Sequence, residues 1–380
     1  MTLHIFNPEH DIALAANLSN FTAPLAGRLL RHDLAFLPAL WVEEGDLVLV
    51  DDVETAVRSL RELSTCFVPT LGTASTNSRY DEYQYLVQRV PIVGTTSVGP
   101  WGWDRALCAQ LKRMGVHESL LPSDDWLQRV RELSHRRTAA RLLPYLQMEG
   151  TVGEAFECSS VEDVAGLLQR YERLVLKAPW SSSGRGVRFL AGGEEALKSY
   201  AGWLHNILKA QGSIMVEPRY EKVMDFAMEF TATETGTQYE GLSLFATNNG
   251  AYTGNILATE EAKRELISRY YPVSLLDNVR EKIISCLDLS DYQGPFGIDM
   301  MFVSAEDASK TSRLLLHPCV EINLRRTMGH VALALTKRVN PQADDSLIQE
   351  MTISFDGSHY RLSCQKATAA AAATLSESTP

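Results

Sequence analysis

The sequence predicts an α/β fold that begins with a parallel sheet. In the first hundred residues, short apolar runs at 3–6, 47–50, 66–68 and 91–93 alternate with helical patterns such as 81–88. This alternation is typical of parallel strands that are covered by helices on both faces. The later chain changes character, because strands separated by turns become more frequent there.

Helices are expected to dominate residues 103–171, where Ser160 and Asp163 have the spacing of an N-terminal helix cap. The apolar patterns then predict strands at 174–176, 187–190, 214–216, 226–231, 242–246, 297–303 and 314–322. Further helices are expected at 194–210, 259–288 and 328–339, followed by a hairpin at 351–363.

The 380 residues, of which 45% are hydrophobic, are enough for two or three domains with buried cores. We expect a parallel α/β domain at 1–100, a first subdomain with a helical lead-in at 101–218, and a second subdomain at 219–365. The tail, 366–380, is rich in Ala, Thr and Ser. It cannot bury enough apolar surface to order itself, so disorder or a weak helix is expected there.

The composition excludes several classes of partner. A formal net charge of -11 repels a phosphate backbone, so nucleic acid is not expected as a partner. The six dispersed cysteines lack metal-site spacing and indicate reduced, buried thiols. Neither a signal peptide nor an apolar run of about 20 residues is evident, so we expect a cytoplasmic protein without membrane spans. A homodimer is left open, since two-fold dimers are the commonest soluble homo-oligomers.

The first stretch with candidate functional residues is a strand that ends in a lysine and is followed by a turn of small residues. Lys177 follows the apolar run 174–176 and precedes the turn 181–186. An ammonium buried without a partner is costly. Glycines and hydroxyls allow a backbone to approach and hydrogen-bond an anion. The stretch predicts either a nucleotide phosphate clamp or a hairpin whose lysine reaches solvent.

The second stretch places polar residues inside apolar strands. Asp299 interrupts one strand, whereas Glu321 and Asn323 lie two apart on another and therefore share a face. Oxygen ligands of this kind suit Mg²⁺, which substrate phosphates and water usually complete. The alternative is a structural salt bridge from these carboxylates to Arg325 or Arg326.

Together these stretches resemble the ATP-grasp superfamily. A strand lysine, a small-residue loop, a strand ending in an acid, and then Asp and Glu-Ile-Asn-Leu-Arg follow in the family's order over roughly residues 100–340. The resemblance implies two ATP-grasp subdomains after a pre-ATP-grasp domain, with Mg²⁺ and ATP as cofactors.

The resemblance also implies residue roles. Lys177 would contact the α and β phosphates and the adenine side of ATP, and Arg325 would stabilise negative charge on the γ-phosphate and the acyl phosphate. The metal would be held by Asp299, Glu321 and Asn323. Nucleotide contacts are implied for the loop and hinge residues Ser181, Ser182, Ser183, Gly184, Gly186, Met215, Val216 and Glu217, with the loop closing over the β and γ phosphates.

Two positions depart from the family pattern. Asp225 lies where the family usually has a glutamate for the ribose hydroxyls, and it is shorter by one methylene. A second nucleotide-binding lysine would correspond to Arg105, which keeps the charge and can fork onto a phosphate. Arg105 can equally be a surface residue.

Two further sites stay open at this stage. The turn from Asn7 to Asp11 follows the first strand, where open α/β sheets bind ligands, but Asp11 and His10 fit a helix start equally well. His330, just after the signature, is expected to cap or pack rather than to face a reaction.

The function implied is ATP-dependent joining of a small-molecule or peptide carboxylate to an amine through an acyl phosphate. Two alternatives remain: a kinase that phosphorylates another acceptor, and a nucleotide-binding regulatory protein without catalysis. The substrates are not identified by the sequence.

Overall fold

The computed structural model describes residues 1–64, 83–90, 94–181, 186–248, 251–269, 271–306, 312–339 and 348–366. The predicted strands 66–68 and 91–93, the loop residues Ser182, Ser183 and Gly184, and the tail from residue 367 lie outside the described residues.

The described residues form fifteen strands. They are β1 Thr2–Ile5, β2 Leu47–Leu49, β3 Leu86–Val87, β4 Ser97–Pro100, β5 Phe156–Cys158, β6 Arg173–Lys177, β7 Val187–Ala191, β8 Ile214–Pro218, β9 Glu221–Thr233, β10 Gly236–Asn248, β11 Ala251–Leu257, β12 Gly294–Glu306, β13 Ser312–Asn323, β14 Gln349–Phe355 and β15 Tyr360–Lys366.

Twelve α-helices accompany the strands in the same described ranges. They are α1 His10–Ala16, α2 Leu25–Leu34, α3 Val53–Ser64, α4 Arg105–Arg113, α5 Asp124–Leu133, α6 Arg137–Leu146, α7 Val161–Arg170, α8 Glu194–Ser199, α9 Ala201–Gln211, α10 Glu260–Ser268, α11 Val273–Cys286 and α12 Met328–Val339. Every one of these helices is too short or too polar to cross a bilayer.

The chain divides into two compact units, which are described separately. The first unit contains Met1–Arg129, Thr253–Ala262 and the described residues from Arg325 onward. The second contains Val130–Tyr252 and Lys263–Leu324.

The first unit is built on a parallel sheet with strand order β3-β2-β1-β4. The predicted α/β fold class with a parallel sheet is therefore confirmed. Leu3 pairs with Leu47 on one side and Val98 on the other. The buried side chains of Leu3 and Ile5 pack with Leu107 and other apolar residues of α4, so burial on this face fixes the register of the central strand.

One prediction in this unit is wrong. Residues 81–88 were expected to be helical, but Leu86–Val87 form strand β3. Leu86 pairs with Val48 and is 6% exposed. Pairing with β2 and burial of Leu86 outweigh the local helical pattern, as tertiary context often does.

The first unit also contains α12 and an antiparallel arrangement of β11, β14 and β15. The helix has the bounds that the sequence predicts, and the hairpin at 351–363 is confirmed as β14 and β15. Strand β15 packs on α2 and α3. The turn before it is held by Asp33, which accepts hydrogen bonds from His359 Nδ1 at 3.0 Å and Tyr360 N at 2.7 Å.

This contact predicts a specific loss of stability in acid. Burial raises the pKa of Asp33, but the hydrogen bonds from His359, Tyr360 and His32 outweigh burial and hold the pKa below 3.8. A depressed folded-state pKa contributes stability that is fully present above the unfolded-state pKa and is lost as the pH falls from there through the folded-state pKa. We expect the thermal midpoint to fall more steeply between about pH 5 and 3 in wild type than in Asp33→Asn. Parallel pH profiles measured by circular dichroism would contradict this assignment.

The second unit contains two antiparallel sheets. Strands β5, β8, β6 and β7 form one, in that order. In the other, β12 lies between β13 and β9, and β10 follows β9. The first sheet packs Leu174, Leu176 and Val216 against α7 and α9.

Helix α7 shows how local sequence fixes a boundary in this unit. Ser160 Oγ accepts from Asp163 N at 3.1 Å, and Asp163 Oδ2 accepts from Ser160 N at 2.9 Å. This reciprocal capping box, which the spacing predicts, satisfies two backbone N–H groups at the start of the helix. It orients α7 so that Val164 lies in the core beside β6 and β8.

Candidate active site

A buried ion pair forms the centre of the candidate site in the second unit. Lys177 Nζ donates to both carboxylate oxygens of Glu217, each at 2.6 Å. Lys177 is 7% exposed and Glu217 is 5% exposed. Each charge stabilises the other, because either one buried alone would lose its hydration without an opposite charge to compensate for it.

Strand register brings the two residues of this pair together. In the antiparallel pair of β6 and β8, Lys177 lies opposite Met215 and Val175 lies opposite Glu217. Side chains alternate between faces, so Lys177 and Glu217 are diagonal neighbours on one face. The partner that a buried lysine requires is thus 40 residues away in the chain.

A second buried cation, Arg136, connects the turn after β6 to β13. It lies just before α6 and is 8% exposed. Its guanidinium donates to Ala178 O, to Ser181 Oγ at 2.8 Å, and to Glu321 Oε2 at 2.9 Å. The distance from Arg136 to Glu321 Oε1 is 2.8 Å. Arg136 therefore positions both the small-residue turn and an acidic side chain.

The predicted metal-binding residues lie on adjacent strands. Asp299 of β12 is directly opposite Glu321 of β13, and Gly297 is opposite Asn323. Glu321 retains 27% side-chain exposure, whereas Asn323 is buried. The structure thus brings Asp299 and Glu321 to neighbouring positions, with Asn323 two residues further along the same strand.

A bulge shapes β13 beside these carboxylates. Between the pairs Asp299–Glu321 and Met301–His317 the register shifts, so three residues of β13 face one residue of β12. Bulges of this kind re-aim side chains and are frequent near functional sites. Cys319 lies in the bulge, and burial, with the carboxylates of Asp299 and Glu217, raises the pKa of its thiol.

His317 is a neutral, fully buried imidazole on the same strand. Burial lowers its pKa to about 3, and the ammonium of Lys177 adds to the shift. Both ring nitrogens lack a hydrogen-bond partner among the described residues. The ring lies edge-on to Tyr220, with 5.7 Å between centroids. A buried polar group without a partner is rare and costs about 1–3 kcal/mol.

The donor set decides which metal could fit. Among the described residues, no three His, Cys, Asp or Glu side chains converge as a ligand group. The predicted set has two carboxylates and one amide, which are all oxygen donors. Such an incomplete oxygen set suits Mg²⁺ when a substrate supplies further oxygens, and it does not suit a closed structural zinc site.

The fold matches a solved structure. N5-carboxyaminoimidazole synthetase from Staphylococcus aureus, complexed with ADP, superposes with a TM-score of 0.51 over 93% of this chain and 82% of that chain, at 10% sequence identity. The chain has the ATP-grasp fold. At this identity the likeness establishes the fold and not the activity.

Other solved structures match with lower TM-scores and add nothing to the ATP-grasp assignment. An Archaeoglobus fulgidus protein assigned to the ATP-grasp superfamily matches at 13% identity over 97% of this chain and 100% of that chain, with a TM-score of 0.43. The biotin carboxylase domain of a Hydrogenobacter thermophilus 2-oxoglutarate carboxylase matches at 15% identity over 69% and 59%, with a TM-score of 0.42. No family model and no curated protein matches the sequence.

The remaining nucleotide residues predicted for the ATP-grasp fold are only partly described. Met215 and Val216 are buried in β8, beside Glu217. Gly186 approaches Ser181 so closely that a Cβ there would overlap the serine side chain. Asp225 accepts from Thr247 Oγ1 at 2.7 Å and also pairs with Lys222.

Two predicted cations belong to the first unit instead. Arg325 forks onto Asp11, with Nε to Oδ1 at 2.8 Å and NH2 to Oδ2 at 2.7 Å. Arg105 is the first residue of α4, and its buried Nε has no partner among the described residues. The roles of Arg325 and Arg105 in an ATP-grasp site stay predictions.

The N-terminal turn is held by its own network in the first unit. Asn7 Nδ2 donates to Gly102 O at 2.8 Å, and Asp104 Oδ2 lies 3.3 Å from His10 Nδ1. Asp104 also caps α4 by accepting from Leu107 N. His330 contacts Thr327 through Nδ1 at 3.1 Å, which fits the capping role expected for it.

Sequence reasoning missed Arg136, His317 and the carboxylate of Glu217 as site components. Glu217 is predicted among the hinge residues that contact the nucleotide, and not as the carboxylate partner of Lys177. The one available signal was the cost of burying Lys177, which requires an acidic partner somewhere in the chain. No pattern near Arg136 or His317 distinguishes them from ordinary residues before the strands are paired.

Proposed function

We propose that this protein is a Mg²⁺- and ATP-dependent ligase that activates a carboxylate as an acyl phosphate and joins it to an amine. The observation that carries the proposal is the pair of buried cations, Lys177 and Arg136. One lies at the end of β6, and the other contacts Ser181 and Glu321. Buried cations beside a small-residue turn suit a polyphosphate.

The nucleotide would lie beside β6 and β8 of one sheet and β13 of the other sheet, all in the second unit. Lys177 would neutralise phosphate charge, and Arg136 would bind a phosphate from the side of Ser181. The unpartnered imidazole of His317 suits a polar group of the bound nucleotide, because ligand contact would relieve its desolvation. The S. aureus structure, which shares the fold, contains ADP.

Asp299, Glu321 and Asn323 would hold magnesium. Their side-chain oxygens fit the preference of Mg²⁺ for oxygen ligands. In the structure, Glu321 forms an ion pair with Arg136. When bound, Mg²⁺ supplies neutralisation of the phosphate oxygens during transfer.

The proposed reaction has two balanced steps. A carboxylate oxygen of the substrate attacks the γ-phosphorus, and the bond from that phosphorus to the ADP oxygen breaks. The amine nitrogen then attacks the acyl carbon, inorganic phosphate leaves, and the amine loses a proton. Lys177 and Arg136 would lower the barrier by holding positive charge where the phosphoryl group transfers.

Titration calorimetry of the full chain with ATP, in MgCl₂ and in EDTA, tests the first part of the proposal. We expect binding that requires Mg²⁺. The protein would then be screened with carboxylates and amines for ADP release in the presence of hydroxylamine, which traps acyl phosphates as hydroxamates. ADP release without hydroxamate would favour a kinase. No binding at millimolar ATP would refute the nucleotide site.

A further inference from the structure

The first unit contains a polar cavity that the ATP chemistry does not use. Its volume is about 60 Å³. A water molecule needs only about 10–15 Å³, so the cavity admits a ligand of several non-hydrogen atoms. Its polar lining consists of Asn7, Glu9, Arg31, Asp104, Gln110 and Arg113, and small apolar side chains and a phenylalanine complete the wall.

Glu9 provides an acceptor that the protein leaves unused. Its Oε1 accepts from Arg31 NH1 at 2.8 Å, and the same NH1 lies 3.2 Å from Gln110 Oε1. Its Oε2 is buried and has no hydrogen-bond partner among the described residues. A carboxylate oxygen in this state is costly unless a donor reaches it. The residue therefore suits a ligand that carries an N–H group.

Arg113 provides a cation for the other end of a ligand. It is the last residue of α4, lines the cavity and is exposed. Within the described residues its guanidinium makes no hydrogen bond or ion pair, whereas its neighbour Lys112 pairs with Glu118. A guanidinium without a carboxylate partner is suited to bind one from a ligand.

The charges around the cavity balance. The carboxylates of Glu9 and Asp104 are matched by the guanidiniums of Arg31 and Arg113. The lining therefore has no net charge that would attract a phosphate or a divalent cation. A ligand with one positive and one negative group would find a partner for each.

We propose that this cavity binds a small zwitterion of the α-amino acid class, with its ammonium group at Glu9 and its carboxylate at Arg113. The inference rests on contacts within the first unit and holds whether or not the second unit turns over ATP. Asn7 and Asp104, which bond to each other at 3.3 Å, form a fixed wall behind the ligand.

Calorimetry of the full chain without nucleotide tests this site. The probes are glycine, L-alanine and L-serine, with methylamine and acetate as half-molecules that carry one group each. We expect at least one amino acid to bind about 10-fold or more tightly than either half, since each charge-assisted hydrogen bond contributes on that scale. No binding of the three amino acids at millimolar concentration, or equal binding of a half-molecule, would overturn the proposal.

Single substitutions test whether the amino acid binds at Glu9 and Arg113. Glu9→Gln and Arg113→Gln should each weaken binding of the best amino acid about 10-fold or more. Lys112→Gln removes the same charge one residue away, outside the cavity lining, and should leave binding unchanged. Arg113 is exposed, so its variant should fold normally even if Glu9→Gln is destabilised. Unchanged affinity in Arg113→Gln would refute the assignment, as would equal losses in Lys112→Gln.

Discussion

Replacing Lys177 by methionine is expected to abolish ATP binding and to destabilise the protein. The substitution leaves the carboxylate of Glu217 buried without its cation, which typically costs about 3–5 kcal/mol. The measurements are calorimetry with Mg·ATP and chemical unfolding. Lys198→Met, which removes an exposed lysine paired with Glu195, is the matched control and should change neither property.

A double variant separates the two effects. Lys177→Met with Glu217→Gln removes both charges of the pair. Much of the lost stability should return, because no uncompensated charge stays buried. ATP binding should stay absent, since the phosphate-binding cation is still missing. Restored ATP binding in the double variant would show that Lys177 serves the fold and not the nucleotide.

Glu321→Ala is expected to reduce ATP turnover by about 100-fold or more, the scale on which one electrostatic group contributes to such chemistry. The protein should stay folded, because Glu321 is partly exposed and Arg136 keeps its bonds to Ala178 and Ser181. ADP release would be measured with the acceptor found in the screen, beside a thermal unfolding profile.

The same variant can be tested before an acceptor is known. In wild type, Mg²⁺ should raise the affinity for ATP, and Glu321→Ala should lose most of that gain. Glu195→Ala, at an exposed site, is the control. A variant with wild-type turnover and an undiminished response to Mg²⁺ would contradict the metal assignment.

Much of the fold follows from local patterns. The Ser160–Asp163 cap and the apolar spacing of 328–339 predict α7 and α12 because helices are stabilised by contacts close in sequence. Strands β3 and β4 escape prediction for the opposite reason. Leu86–Val87 has only two residues, and Ser97–Pro100 contains Gly and Pro, which are rare inside strands. Both become strands by pairing with β2 and β1.

The candidate site divides in the same way. Lys177, Asp299 and Glu321 stand out because charged residues interrupt apolar strands, which is a local signal. The contact of Lys177 with Glu217 depends on the register of two strands. The contacts of Arg136 span 42 to 185 positions of sequence. No local sequence pattern around Arg136 predicts these contacts, so the residue can be identified as part of the site only from the folded structure.

The pairing of Arg136 with Glu321 bears on the order in which ligands arrive. A carboxylate that already faces a guanidinium offers a hydrated dication little net attraction. When ATP binds together with Mg²⁺, its phosphate oxygens can pair with the guanidinium of Arg136. Glu321 is then released to bind Mg²⁺ in the same step. The nucleotide-free protein is therefore expected to ignore free Mg²⁺ and to respond to the nucleotide complex.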